Sequence, residues 1–403
     1  MEWSLAILAA TLLGVAAISR RLYGTPVTPA MVFVAVGVLL GPRVLGEIDV
    51  ESSSETVRTL AEATLALVLF CDASSIDLRE LRREAGVPVR LLGIGLPLTI
   101  ALGAVAGALV LDQLTIQEAV ILAVVLAPTD AALGQAVVTE PRVPGRVRQG
   151  LNVESGLNDG ICVPLLFAAV AIADVESGIS DGRNALTLLV EEIGYGVLGG
   201  LVGGALVAVV LVQAGRRGLI ADPWRRVVPA AGAGLAYGVA AALGGSGFIA
   251  AFVAGITFRF LIDRDPEDVN GLSEQVGDVL DGVTFVLFGA ILLGPALGAL
   301  SWALAAYAVL SLTLVRMLPV AVAMLGSGVR APTLGFLGWF GPRGLASIVF
   351  AVIVVEESDL PHEQLIVLAI YLTVGLSVFA HGISAAPLAD RYARWYERQP
   401  RRD

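Results

Sequence analysis

The chain has no lysine; all 26 of its basic residues are arginine. In 403 residues there are only two histidines and two cysteines, aromatic residues make up 6% and charged residues 15%. Each shortage excludes something. Cys71 and Cys162 both lie in apolar runs, so no disulfide framework is expected and both read as ordinary core residues. Without a Cys/His cluster, a zinc site is not expected. Soluble domains are about a quarter charged, so a chain this poor in charge lacks the residues to solvate a globular surface. The net charge of −10 gives no cause to expect a nucleic acid partner. Being lysine-free and acid-rich, the chain suggests a prokaryotic source of high GC content.

What is abundant is hydrophobic. Such residues make up 56% of the chain, and the mean hydropathy is +0.82. The apolar runs approach 20 residues, the length that spans a bilayer as a helix, whereas a β-barrel would alternate over about 10. The chain reads as an all-α polytopic membrane protein. Thirteen spans are expected, near 3–19, 28–46, 56–72, 88–111, 117–138, 149–172, 187–213, 226–244, 246–263, 274–296, 301–325, 332–355 and 363–387. The first, "WSLAILAATLLGVAAI", has no charged leader and no cleavage signal, so it reads as a retained span. The eighth and ninth are divided only by "LGGSG". With 46 glycines the bundle should be tight, since small residues let helices approach closely in lipid. The membrane domain would cover 1–387 and a short cytoplasmic tail 388–403.

The arginines orient this map. With the N-terminus outside, only Arg43, Arg58 and Arg183 face out, and Arg316 and Arg343 fall inside spans; the other arginines lie in inner loops or in the tail. The positive-inside rule then gives N-out, C-in, which requires an odd number of spans. The location implied is the cell membrane. The longest inner loops, "RRGLIADPWRR" and "DRDPEDVNGLSEQ", are too short to fold alone, and Trp395 and Tyr396 in the arginine-rich tail belong at the headgroup layer.

Ionisable residues inside spans are functional candidates. Span six contains "LNVESGLNDGICVPLLF", residues 151–167. On a helix Ser155 and Asp159 share one face and Glu154 and Asn158 the next. One turn therefore offers two carboxylates, an amide and a hydroxyl, all hard oxygen donors suited to alkali or other hard cations. Span five contains "LAPTDAAL", in which Pro128 removes a helical hydrogen bond beside Thr129 and Asp130. Such a break is tolerated at membrane depth only against protein or a wet cavity. A second break is expected at Gly341-Pro342-Arg343-Gly344 in span twelve. If spans 1–6 and 8–13 are two halves around span seven, the two breaks correspond, as in inverted-repeat transporters.

The pair "PTD" and "ESGLND", together with "GPRGLAS" and "FAHGISAAPL", resembles the cation:proton antiporter superfamily, on the NhaP and sodium/proton exchanger branch. The resemblance covers the whole membrane domain. It implies inverted repeats with two crossed, discontinuous helices, and a homodimer. It also implies a moving core domain, including spans 88–172 and 301–387, and a dimerisation domain built from the remaining spans. The substrate implied is a monovalent cation, exchanged for protons within membrane lipid, with no cofactor and no enzymatic chemistry. Carried over by motif, Asp159 is the principal carboxylate for Na⁺ and H⁺. Asp130, Ser155 and the main-chain carbonyl of Thr129 complete the ion site. Asn158 and Thr129 steady the crossing. Glu154 pairs with Arg316, a structural role that a buried charge demands in any case. Arg343 offsets the negative ends of the half-helices. Asp72, in "LVLFCDASS", is the candidate for an acidic residue that holds a water at the ion, or is a solvated helix end.

The mechanism implied is competition of Na⁺ and H⁺ for Asp159, with movement only when the site is loaded. Because position 158 is Asn, one aspartate remains in the dipeptide, and electroneutral exchange is expected. K⁺ or Li⁺ could replace Na⁺, since the ligand type does not choose among hard monovalent ions. An intramembrane aspartyl protease using Asp130 and Asp159 is a more distant alternative, without a GxGD-type motif. Asp278 and Asp281 read as interface residues, Glu191 and Glu192 as solvated, and His381 as packed or solvated rather than pH-sensing.

Overall fold

The computed structural model describes residues 2–22, 24–46, 54–76, 85–134, 137, 140–176, 182–262, 266–358 and 360–399. Arg79, Arg82, Arg83, Arg264, Arg401 and Arg402, and the acidic stretch 47–53, lie outside the described residues, as do the side chains of Arg58 and Arg183. Every regular element among the described residues is helical.

The helices are α1 (Glu2–Leu22), α2 (Pro29–Leu40), α3 (Ser54–Ser75), α4 (Gly86–Val110), α5 (Ile116–Val125), α6 (Gly145–Glu176), α7 (182–214), α8 (Val228–Ala242), α9 (Gly247–Leu261), α10 (266–299), α11 (Trp302–Ala323), α12 (Ala331–Trp339), α13 (Leu345–Glu357) and α14 (Glu363–Glu397). Six of them are long and apolar enough to cross a membrane, and α2, α5, α9 and α13 are shorter apolar helices. Each of the thirteen spans expected from hydropathy overlaps a helix among the described residues. The narrow division at "LGGSG" separates α8 from α9. Spans five and twelve are the two that break: α5 stops at Val125, and α12 and α13 flank an irregular stretch at 340–344. Several boundaries shift: α2 stops at Leu40 rather than at 46, α10 begins at Pro266 rather than at 274, and α14 continues to Glu397, well past the expected end at 387. Pro387 does not stop it.

Helix starts follow local chemistry. Thr28, Ser246 and Ser301 accept from the backbone N–H of Met31, Ile249 and Leu304. At α5, Thr115 and Glu118 form a reciprocal capping box.

The chain divides into two compact units. The first comprises Met1–Val57, Arg83–Asn158 and Gly282–Asp403. In it α2 lies against the second half of α10 at glycine contacts: a Cβ on Gly37 would strike Val286, one on Gly41 would strike Ala290, and one on Gly289 would strike Val34. α4 packs on α5, and α11 on α14. A buried cluster of Leu91, Val147, Leu151, Val320, Phe336 and Tyr392 ties α4, α6, α11, α12 and α14 together. The second unit comprises Arg58–Arg82 and Asp159–Asp281. Its core is unusually small-grained. Ala236 and Ala254 are buried in it, Gly203 abuts Ala236, Gly204 abuts Ala254, and Gly255 presses on the backbone of Phe70. Such contacts suit helices that associate in lipid, where packing replaces the hydrophobic effect as the driving force.

Candidate functional site

The site begins with the two places where helical hydrogen bonding fails. After Val125 the chain runs through Pro128-Thr129-Asp130 without regular structure, and after Trp339 it does the same as far as Gly344. The two stretches meet. The Asp130 N–H donates to the Pro342 carbonyl at 2.8 Å. Around that contact several of the stranded backbone groups find side-chain partners, as groups at membrane depth require.

Ser155 and Asn158, one turn apart on α6, hold the first stretch. Ser155 Oγ donates to the Thr129 carbonyl at 2.5 Å and accepts from the Ala131 N–H at 2.8 Å. Asn158 Nδ2 donates to Thr129 Oγ1 at 2.8 Å, and its Oδ1 accepts from the Thr129 N–H at 3.3 Å. Both side chains are buried, as is Thr129.

The charges follow the half-helix ends. The Asp130 carboxylate accepts from the N–H groups of Ala132 at 2.9 Å and Leu133 at 3.4 Å on its own stretch, and from Leu345 at 3.2 Å, the first residue of α13. Its contact with Leu345 places it at the positive N-terminal end of α13. Gly344 is required for this approach, because a Cβ there would run into the Asp130 carboxylate. The opposite ends meet Arg343, fully buried, whose Nη1 donates to the carbonyls of Ala127 at 2.7 Å and Pro128 at 3.1 Å just beyond α5. Ser347 Oγ takes the Val125 carbonyl at 2.8 Å.

A second chain of hydrogen bonds fixes the Arg343 backbone. Its N–H donates to Ser377 Oγ at 2.7 Å, and Ser377 Oγ lies 3.1 Å from His381 Nδ1. His381 Nε2 is 2.9 Å from the Trp339 carbonyl. His381 Nδ1 also lies 3.0 Å from the Ser377 carbonyl, so each ring nitrogen faces a backbone oxygen. His381 is buried and packed.

Glu154 and Arg316 form a bidentate pair, with Nη1–Oε1 at 2.5 Å and Nη2–Oε2 at 2.7 Å, each side chain 2% exposed. Two parallel charge-assisted bonds are the geometry that best offsets burying both charges. Gly341 lies directly against the Arg316 guanidinium, which a Cβ would strike.

Thr129, Asp130 and Ser155 line a cavity of about 20 Å³ with Leu151, Phe340 and Pro342. That is room for about one water-sized particle. Of the residues expected from sequence, Thr129, Asp130, Ser155 and Asn158 come together around the crossing, with Arg343 at its edge. Asp159 is buried one turn beyond Ser155 on the same uninterrupted α6 and does not line that cavity. Asp72 is half-buried near the end of α3, in the second unit.

Ser347, Ser377, Gly341 and Gly344 were not assigned site roles from sequence. Ser377 and His381, four apart on one helix, carried a usable signal as a polar pair in an apolar run.

The family model described as "Sodium/hydrogen exchanger, transmembrane" matches residues 7–391. The chain belongs to the sodium/hydrogen exchanger family. That family consists of transporters, not enzymes. Among solved structures, the sodium/hydrogen exchanger chain resembles the sodium proton antiporter MjNhaP1 from Methanocaldococcus jannaschii at pH 8, with a TM-score of 0.77 and 20% identity over 95% of this chain and all of that one. The fold is therefore the antiporter fold of crossed discontinuous helices. Among curated relatives, the K(+)/H(+) antiporter NhaP2 of Shewanella sp. (strain ANA-3) is 26% identical over 95% of this chain. The Na(+)/H(+) antiporter of Schizosaccharomyces pombe is 27% identical over 59% of this chain. The matches span 65% of the Shewanella protein's length and 54% of the yeast protein's.

Proposed function

We propose that this exchanger-family chain is a monovalent cation/proton antiporter, working as an electroneutral Na⁺/H⁺ exchanger by alternating access. Na⁺ and H⁺ compete for Asp159. Asp130, Ser155 and the Thr129 carbonyl supply further oxygens, while Asn158, Glu154, Arg316 and Arg343 hold the frame and Asp72 is the candidate water-holding acid. The observation that carries this reading is the water-sized cavity at the crossing of two broken segments, onto which Thr129, Asp130 and Ser155 face, on the helix that carries the buried Asp159. A dehydrated alkali ion needs such a set of hard oxygens. A bare carboxylate at membrane depth is costly, so the moving unit crosses when sodium or a proton neutralises it and stalls when neither does. That condition alone yields obligatory exchange.

The reading includes a homodimer with the N-terminus outside and the C-terminus cytoplasmic, in a prokaryotic cell membrane. The core comprises 88–172 and 301–387, and the remaining spans dimerise. Similarity to the Shewanella K(+)/H(+) antiporter makes potassium the second reading.

Everted vesicles carrying the chain test both. After acidification by respiration, addition of Na⁺, K⁺ or Li⁺ in turn should restore the quenched fluorescence of a pH dye, most strongly with Na⁺. Asp159→Asn should abolish the response. A K⁺ response that exceeds the Na⁺ response moves the assignment to potassium, and full activity in Asp159→Asn rejects the site.

A further inference from the structure

The first unit contains a second, much larger cavity that the exchange reading does not use. It measures about 610 Å³, within the range of small-molecule pockets. It lies among α2, α10, α11 and α14, and its walls are apolar, including Leu39, Leu293, Leu300, Val309, Leu372 and Phe379. Leu39, Leu300 and Val309 are each at least half exposed, so the crevice opens outward, where a membrane-spanning helix meets lipid. A polar ligand has nothing to bind inside it.

Its rim differs. Arg43, just after α2, is exposed, and its guanidinium packs directly on Gly298, between the lining residues Leu297 and Leu300. No described residue forms a hydrogen bond or ion pair with it. An apolar slot with a cation at its mouth matches a molecule with a hydrocarbon chain and an anionic head.

We propose that this crevice binds an anionic phospholipid of the surrounding bilayer, with an acyl chain between α2, α10, α11 and α14 and its phosphate on Arg43. Arginine suits the role because its fork matches phosphate geometry. The chain would brace α14 on the face opposite the Ser377–His381 contacts. The site stands apart from the choice of transported ion.

Native mass spectrometry of the full chain, released from detergent after incubation with dioleoyl-phosphatidylglycerol or dioleoyl-phosphatidylcholine, tests it. One arginine near an anionic lipid is worth about a factor of five in binding. Wild type should retain phosphatidylglycerol over phosphatidylcholine by about that factor. Arg43→Gln should erase the preference and Arg43→Lys should keep most of it. Val309→Trp, which fills the slot from an exposed position, should lower retention of both lipids. Equal retention of the two lipids by wild type, or an unchanged preference in Arg43→Gln, would overturn the proposal. So would a Val309→Trp variant that changes the dimer population but not lipid retention, because the crevice would then receive a second copy of the chain.

Discussion

A carboxylate at membrane depth can be offset by a cation, by a proton or by aligned N–H groups, and Asp130 meets N–H groups at the crossing. It accepts from backbone donors on both broken stretches, while Arg343 donates to the carbonyls just beyond α5. The space for this arrangement comes from a missing side chain at Gly344. Gly344→Ala should therefore slow cation/proton exchange more than tenfold and lower the thermal unfolding temperature, since overpacking a tight site costs about 1–3 kcal/mol. Gly93→Ala, with open space around it, should change neither. Equal behaviour of the two variants in a thermal-shift and transport assay would contradict this reading of the crossing. The Glu154–Arg316 pair makes a second prediction. Glu154→Gln leaves Arg316 buried without its counter-charge and should destabilise by about 3–5 kcal/mol. The double change Glu154→Gln with Arg316→Met should recover a good part of that loss, read by thermal unfolding in detergent. The need for this pair was legible in the sequence, because two lone charges inside apolar runs require partners. The partners of Asp130 were not. That Leu345 would present its N–H depends on how two stretches more than 200 residues apart approach, and no periodicity encodes that.

At the scale of elements, hydropathy pointed to a described helix at each expected span but was silent on what each one touches. The two breaks were readable from Pro128 and from Gly341-Pro342-Arg343-Gly344, because proline and glycine fail as helix formers for local reasons. The end of α14 was misplaced, because its final turns are held by neighbours: Tyr392 stacks on Phe336 at 4.2 Å and shares a 2.9 Å hydrogen bond with Thr333. Contacts between helices depend on which glycine faces which backbone. Gly37→Val should reduce the yield of folded protein sharply, since its side chain would enter the Val286 backbone, whereas Gly14→Val should be tolerated because nothing lies near it. Gel-filtration yield in detergent checks the contrast, and equal yields would mean that the α2–α10 contact is looser than its geometry. At α5, Thr115→Ala removes one partner of the capping box and should cost about 1 kcal/mol, seen as a small drop in unfolding temperature.

For the whole molecule, the account joins a rigid crossing to a carboxylate that changes occupant. Asn158 spends its amide on Thr129 and carries no charge, so one aspartate in the 158–159 dipeptide is left to titrate. Exchange in proteoliposomes should then be indifferent to a potassium-diffusion potential set with valinomycin, and a rate that follows the voltage would contradict electroneutrality. The central claim is that a cation and a proton take turns at Asp159. Its most direct test is the apparent KM for Na⁺ in proteoliposomes as the pH of the sodium-facing side is lowered. Where the carboxyl is mostly protonated, each pH unit downward should raise the KM about tenfold with the maximal rate unchanged. A KM that stays constant across the pH range, with only the maximal rate falling, would mean that sodium and the proton do not share a site.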